Sequence, residues 1–259
     1  INSVSGNVSF ANSGALLDVS VNNGAGTGAV FVKSAGDLGL LNTGVITSAT
    51  GNAAVLVAGG NFVNSSNYNI TLLGTGARWL IYSTNPSANT VGALLTGSTD
   101  FQQYGATYPS TTVLGAGNGL LYSTSASSAV VPVSLTGSVS KVFDGNTSAP
   151  LTSSNYVLGG VTDTIFGTSS GASLSGMGSG AYASPNVGTG ISVSTSGGTA
   201  TVTFSTKTVY GYGLSAASAA IGDITPAPIV ITPVSASLIG TAAKVYDGTL
   251  LATLAPGNF

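Results

Sequence analysis

The first third of the chain alternates short apolar runs with Gly and Asn. "NVSF", "ALLDVSV", "GAVFV", "LGLL", "GVIT", "AAVLV", "NFVN" and "YNITLL" follow one another between residues 7 and 73. Runs of this length, rich in Val, Ile and Phe and closed by turn residues, predict strands. "AVFV" at 29–32 returns as "AVLV" at 54–57. Each is followed by a Gly-bearing turn and a second run ending on Asn, first Asn42 and then Asn64. The step from 29 to 54 is the size of one coil of a β-solenoid, in which a coil buries its apolar face only by stacking on its neighbours. A β-sandwich with irregular turns is the alternative reading of the same runs.

The pattern changes at residue 77. Residues 77–123 hold the single Trp, the single Arg and four Tyr. Large aromatics placed just after thin, Gly-rich coils suit a cap that blunts an open sheet edge. Packing inside such a cap accounts for Trp79, Tyr82, Tyr104, Tyr108 and Tyr122. A sugar-binding platform made by Trp79, Tyr82, Tyr104 and Tyr108 is the functional alternative. "TSASSAVVP" (124–132) reads as a connector. Beyond it, "KVFDGN" (141–146) returns as "KVYDGT" (244–249), in register with a second match at Asn155 and Asn258. The equivalent residues are Lys141 and Lys244, Phe143 and Tyr246, Asp144 and Asp247, Gly145 and Gly248. β residues running into Asp-Gly predict a turn, with Asp bonding its own backbone and Gly free to take positive φ. The aromatics of both copies are expected to pack inward. "ITPAPIVITP" (224–233) reads as a stiff, extended linker or strand.

Composition sharpens the fold class and narrows the chemistry. The chain has no Glu, and only 5% of its residues are charged, so strong helix formers are scarce and an all-β protein with negligible helix is expected. Mean hydropathy is +0.45, yet no apolar stretch is long enough to span a membrane. A net charge of −2 offers no basic patch for nucleic acid. With no His and no Cys, Ser-His-Asp catalysis, thiolate chemistry and ordinary zinc sites are excluded, and neither an enzyme nor a cofactor is expected. The remaining catalytic idea is a stacked pair of carboxylates, Asp18 and Asp37 near Lys33, doing acid and base work on a glycoside. Two turn aspartates on a polar surface are the alternative. Asp144 and Asp247 would each bring one carboxylate to a calcium ion, which needs six to eight oxygens. Asn7, Asn64, Asn69 and Asn146 stand in N-glycosylation sequons, a number that frequent Ser and Thr produce by chance. No signal peptide is read at Ile1, so the sequence is expected to be processed or part of something longer.

"RWLIYSTNP", "QQYGATY" and "GNGLLYS" resemble the stretch that closes the β-helix of filamentous-haemagglutinin-like bacterial exoproteins. The two in-register copies of Val-aromatic-Asp-Gly resemble the YDG module found in tandem in bacterial surface and secreted proteins, with Phe143 a departure from its Tyr. "NVGTG" (186–190) and "GLSAASAAIGDITPAP" (213–228) fit its later parts. The resemblance implies a short β-solenoid end (1–76), a cap and connector (77–132), an antiparallel, sandwich-like YDG module (133–233) and the start of a second (234–259). It implies a secreted or cell-surface protein with structural or adhesive work, forming a stalk or fibre and meeting a glycan or surface receptor. A quarter of a β module leaves its backbone groups unpaired, so residues 234–259 are expected to pair either with the preceding module or, head to tail, with a neighbouring copy. A carbohydrate-binding or carbohydrate-cleaving β-helix is the alternative.

Overall fold

The structure, a computed structural model, describes residues 6–15, 18–41, 44–125 and 130–259, the side chain of Leu94 excepted. Asn42 lies outside the described residues, as do 126–129 of the expected connector. The chain divides into two compact units, Ile1–Thr225 and Pro226–Phe259. The first is mostly β, in several sheets that include a parallel one.

The Gly- and Asn-broken runs form nine short strands: β1 (Val8–Asn12), β2 (Val21–Asn23), β3 (Val30–Ser34), β4 (Leu38–Gly39), β5 (Val45–Thr47), β6 (Asn52–Ala58), β7 (Phe62–Val63), β8 (Ile70–Leu72) and β9 (Arg78–Ser83). They pair in three ladders, all parallel: β1–β3–β6–β9, β2–β5–β8 and β4–β7. The register sets Val8 beside Val30, Val30 beside Ala54 and Ala54 beside Trp79. The expected match of "AVFV" on "AVLV" is therefore one residue off: Val30 faces Ala54, not Val55. Six residues of β6, Ala53 to Ala58, are buried on both faces, so inside-outside alternation cannot set the register there.

Val30, Leu38, Val45, Leu56 and Phe62 are fully buried between the ladders. Buried polar side chains at the turns bond backbone instead of water. Asn23 Nδ2 donates to Gly6 O and Gly28 O, and Asn64 Nδ2 donates to Tyr68 O and Val91 O. Successive turns approach so closely that a Cβ at Gly28 would overlap the Gly6 carbonyl, which explains the glycines between runs.

Residues 77–123 continue the large sheet. After β9 come the short helix α1 (Ala93–Ser98), β10 (Phe101–Tyr104) and β11 (Gly119–Tyr122). β11 pairs with β9, and β10 adds outside β11, reversing chain order. α1 is under two turns, in keeping with the expected scarcity of helix.

The rest of the first unit comprises β12 (Val130–Val131), β13 (Val133–Leu135), β14 (Val139–Val142), β15 (Tyr156–Leu158), β16 (Thr162–Asp163), β17 (Gly167–Thr168), β18 (Gly171–Gly176), β19 (Ser179–Tyr182), β20 (Gly188–Ser196), β21 (Thr199–Phe204), β22 (Lys207–Leu214) and β23 (Ala217–Thr225). Most pair antiparallel, as expected for 133–233, but this region is not a sheet system of its own. β22 runs parallel to β10 and to β12, so β10, β22, β21 and β18 extend the large sheet. β14 also lies parallel to β23. The pairing of β22 closes the edge that β10 would otherwise expose, and the Lys207–Asp100 ion pair (3.0 Å) fastens it.

The second unit holds one 3-10 turn, Pro256–Asn258, and no strand.

Candidate functional site

The Asp-Gly turn is built the same way twice. Lys141 Nζ donates to Asp144 Oδ1 (2.6 Å), Asn146 O (2.6 Å) and Asn146 Oδ1 (2.8 Å), while the Asn146 N–H donates to Asp144 Oδ1 (3.1 Å). Lys244 Nζ donates to Asp247 Oδ1 (2.7 Å), Thr249 O (2.6 Å) and Thr249 Oγ1 (2.7 Å), and the Thr249 N–H donates to Asp247 Oδ1 (2.9 Å). Gly145 and Gly248 take φ of 77° and 73°, the left-handed region that spares a residue without Cβ. The Lys141 hydrogen bond, helped by the Asn146 N–H, holds the Asp144 carboxyl below its ordinary value. Lys244 and the Thr249 N–H do the same for Asp247. In each copy the lysine ammonium sits where a cation would meet the carboxylate, which leaves the turn poorly suited to calcium.

The expected inward packing of the motif aromatics is not found. Phe143 is 42% and Tyr246 94% exposed. Phe143 lies just past the end of β14, where its N–H makes a last bond to Thr225 O. The buried aromatic here is Tyr182: its hydroxyl donates to Val139 O (2.8 Å), and Lys141 Nζ lies 5.5 Å from its ring centroid.

The residues of the expected sugar platform separate. Trp79 and Tyr104 belong to the core between the ladders. Tyr82 lies on the opposite face of the sheet, in a second apolar cluster, and Tyr108 covers it edge-on at 5.4 Å while also meeting Phe31 at 5.3 Å. A surface shared by all four is ruled out by strand alternation: Trp79 and Tyr82 sit three residues apart on β9 and face opposite ways. Asp18 and Asp37 do not stack either. The Val19 N–H donates to Gly39 O, which by the pattern of the other ladders sets Asp18 across from Gly39 rather than Asp37. Asp37 Oδ1 accepts the Asn61 N–H (2.7 Å), a turn role, and Lys33 is exposed on β3. Among the sequons, Asn64 is fully buried with its amide committed to backbone, whereas Asn7, Asn69 and Asn146 are exposed.

Sequence reasoning missed Asp163. It is the one charged side chain among the buried described residues. Its Oδ1 accepts Gln102 Nε2 (3.0 Å) and the N–H groups of Ile165 and Phe166 (2.8 and 2.9 Å), and its Oδ2 accepts the Tyr212 hydroxyl (2.8 Å). Four donors thus solvate a carboxylate for which no lysine or arginine partner exists among the described residues. Burial, and then the Asp163 charge, push the Tyr212 phenol far above its ordinary value. Beside the carboxylate is a cavity of about 270 Å³, lined by Gln102, Tyr104, Tyr122 and Asp163 among others. Tyr104 packs between Tyr122 (5.2 Å) and Tyr212 (5.9 Å), its ring tilted 45° and 46° to theirs. An aspartate bonding the N–H groups two and three residues on reads as an ordinary local turn, so nothing in its spelling points to Gln102, 61 residues earlier.

No group of three or more His, Cys, Asp or Glu side chains that would hold a metal ion occurs among the described residues, and no helix is long and apolar enough to cross a membrane. No family model matches the chain, and no curated protein or solved structure is significantly similar to it.

Proposed function

We propose that this chain is an extracellular structural and adhesive protein of a bacterial surface, serving as part of a stalk or self-assembling fibre. In this reading the three parallel ladders are the faces of a short β-solenoid, residues 77–132 close it, 133–233 is one YDG-type module and 234–259 begins another. The observation that carries the reading is the repetition of two separate sets of bonds at the same step along the chain. The Lys-Asp turn of 141–146 recurs at 244–249. The Asn155 clasp, in which Asn155 Nδ2 donates to Thr136 O (3.1 Å) and Thr136 N–H to Asn155 O (3.0 Å), recurs with Asn258 and Ile239 at 3.0 Å each. Tandem modules with one local architecture suit a protein whose work is to extend.

The partner in this reading is a second copy of the chain. In the first module the residues before the turn form β14 and lie along β23. Their counterparts form no strand, and Val245 and Tyr246 are 89% and 94% exposed. Such a segment gains backbone bonds by adding to a strand edge of another copy, head to tail. Removing residues 234–259 and comparing both proteins by sedimentation and electron microscopy tests this. The intact chain is expected to form filaments and the truncated one to stay monomeric. Equal polymerisation of the two, or an intact chain that never self-associates, would overturn it.

A further inference from the structure

The cavity beside Asp163 has the features of a binding site. Its floor is made of buried residues from distant stretches of chain: Gln102 of β10, Tyr122 of β11 and Asp163 of β16, exposed by 1%, 1% and 8%. Its mouth is made of exposed ones, Ser87, Thr162 and Thr164. Pro86, Val91 and Ile165 supply apolar wall. The Tyr122 hydroxyl is buried and has no hydrogen-bond partner among the described residues. An orphaned buried hydroxyl normally costs stability, about 1–3 kcal/mol, and the structure offers no compensating bond. At about 270 Å³ the cavity has room for several waters, more than a single bridging one would fill.

The lining selects the chemistry of an occupant. It contains no lysine or arginine and one carboxylate, so an anion would meet repulsion with no counter-charge. Asp163 Oδ2 accepts one bond among the described residues, from Tyr212, and a carboxylate oxygen has capacity for another donor. Tyr122 lines the same cavity, and its buried, unpartnered hydroxyl is a donor-acceptor that an occupant reaching it would satisfy. Seven of the twelve lining residues carry polar side chains and two more are tyrosines, with Pro86, Val91 and Ile165 between them; convergent polar groups beside apolar wall fix a small ligand's orientation, and a sugar ring presents hydroxyls on its rim and C–H groups on its faces. The volume lies just below the range of drug-sized pockets, about 300–1,000 Å³, which limits the occupant to one ring.

We infer that this cavity binds a single neutral sugar residue, free or at the end of a glycan, with Asp163 and Tyr122 as its hydrogen-bonding partners. This site does not require the chain to form fibres, and it is not the four-residue aromatic platform, whose members lie apart.

The test is titration of the full chain with glucose, galactose, mannose, fucose and N-acetylglucosamine, each followed by saturation-transfer NMR and calorimetry, with sialic acid and glucosamine as the charged controls. At least one neutral sugar is expected to bind, and sialic acid is not. Tyr122→Phe removes only the orphaned hydroxyl, so the variant is expected to melt no lower than the parent while binding that sugar about tenfold more weakly, the scale of one lost hydrogen bond. Asp163→Asn, which keeps the shape but loses the charge, is a second variant expected to weaken binding. If no neutral sugar binds, if sialic acid or glucosamine alone binds, or if Tyr122→Phe binds as well as the parent, the site is a water-filled cavity or takes another ligand and the inference fails.

Discussion

The turn at 141–146 and the turn at 244–249 have the same bonds and different surroundings. In the first, β14 lies against β23, Phe143 N–H closes on Thr225 O, and Tyr182 supports the strand from beneath. In the second, the residues before the turn form no strand and Val245 and Tyr246 are exposed. The lesson is one of range. Lys-to-Asp and Asp-to-backbone bonds span five residues or fewer, so the same short stretch builds them regardless of what lies around it. Strand pairing needs a partner many residues away, which β14 finds in β23.

The comparison breaks most sharply if the first copy loses its support. Tyr182 is 3% exposed, and Tyr182→Ala is expected to cost about 3 kcal/mol or more, as truncations of buried aromatics do. Chemical denaturation measures the loss. Amide exchange should then show residues 139–143 exchanging nearly as fast as 242–246, while the Lys141–Asp144 turn persists. Slow exchange at 139–143 in the variant would mean that the turn, not the tertiary contact, holds the strand.

A smaller effect separates the two asparagine clasps. Asn155 is 6% exposed, and Asn155→Ala leaves Thr136 O and Thr152 N–H without their partner, an expected loss of about 2 kcal/mol in thermal or denaturant unfolding. Asn258 makes the matching bonds near solvent, where water replaces them, so Asn258→Ala is expected to cost distinctly less. Equal losses would mean that the second copy is packed as tightly as the first.

The smallest effect is in acid. Both turn carboxyls are held below their ordinary values by a lysine, so their folded values lie beneath their unfolded ones. What each bond contributes is present above the unfolded value and fades as pH falls through the folded value. Carboxyl NMR titration should therefore find Asp144 and Asp247 still ionised where ordinary aspartates are protonating. Because both turns are surface features, only a slight change in melting temperature should accompany their protonation. A turn carboxyl titrating at the ordinary value would show that its copy of the lysine bond does not persist in solution.

Much of the molecule is readable from its residues because much of it is local. Val- and Ile-rich runs closed by Gly and Asn indicated strands, the lack of Glu indicated little helix, and the recurring Lys-Val-aromatic-Asp-Gly indicated a turn that both copies make. Inward Phe143 and Tyr246 are a false expectation, because a strand's aromatic is buried only where another layer covers it, and the ladder ends before Phe143 while none forms before Tyr246. Register was decided in three dimensions too: "AVFV" and "AVLV" invite a match that the packing of β6, buried on both faces, shifts by one residue. The order β9–β11–β10, the addition of β22 to β10 and the meeting of Asp163 with Gln102 and Tyr212 have no local signature. Each depends on which edge was open and which buried group needed a partner once the chain had closed, and such long-range contacts are chosen by the competition among all the surfaces of the fold rather than by the residues next to them in sequence.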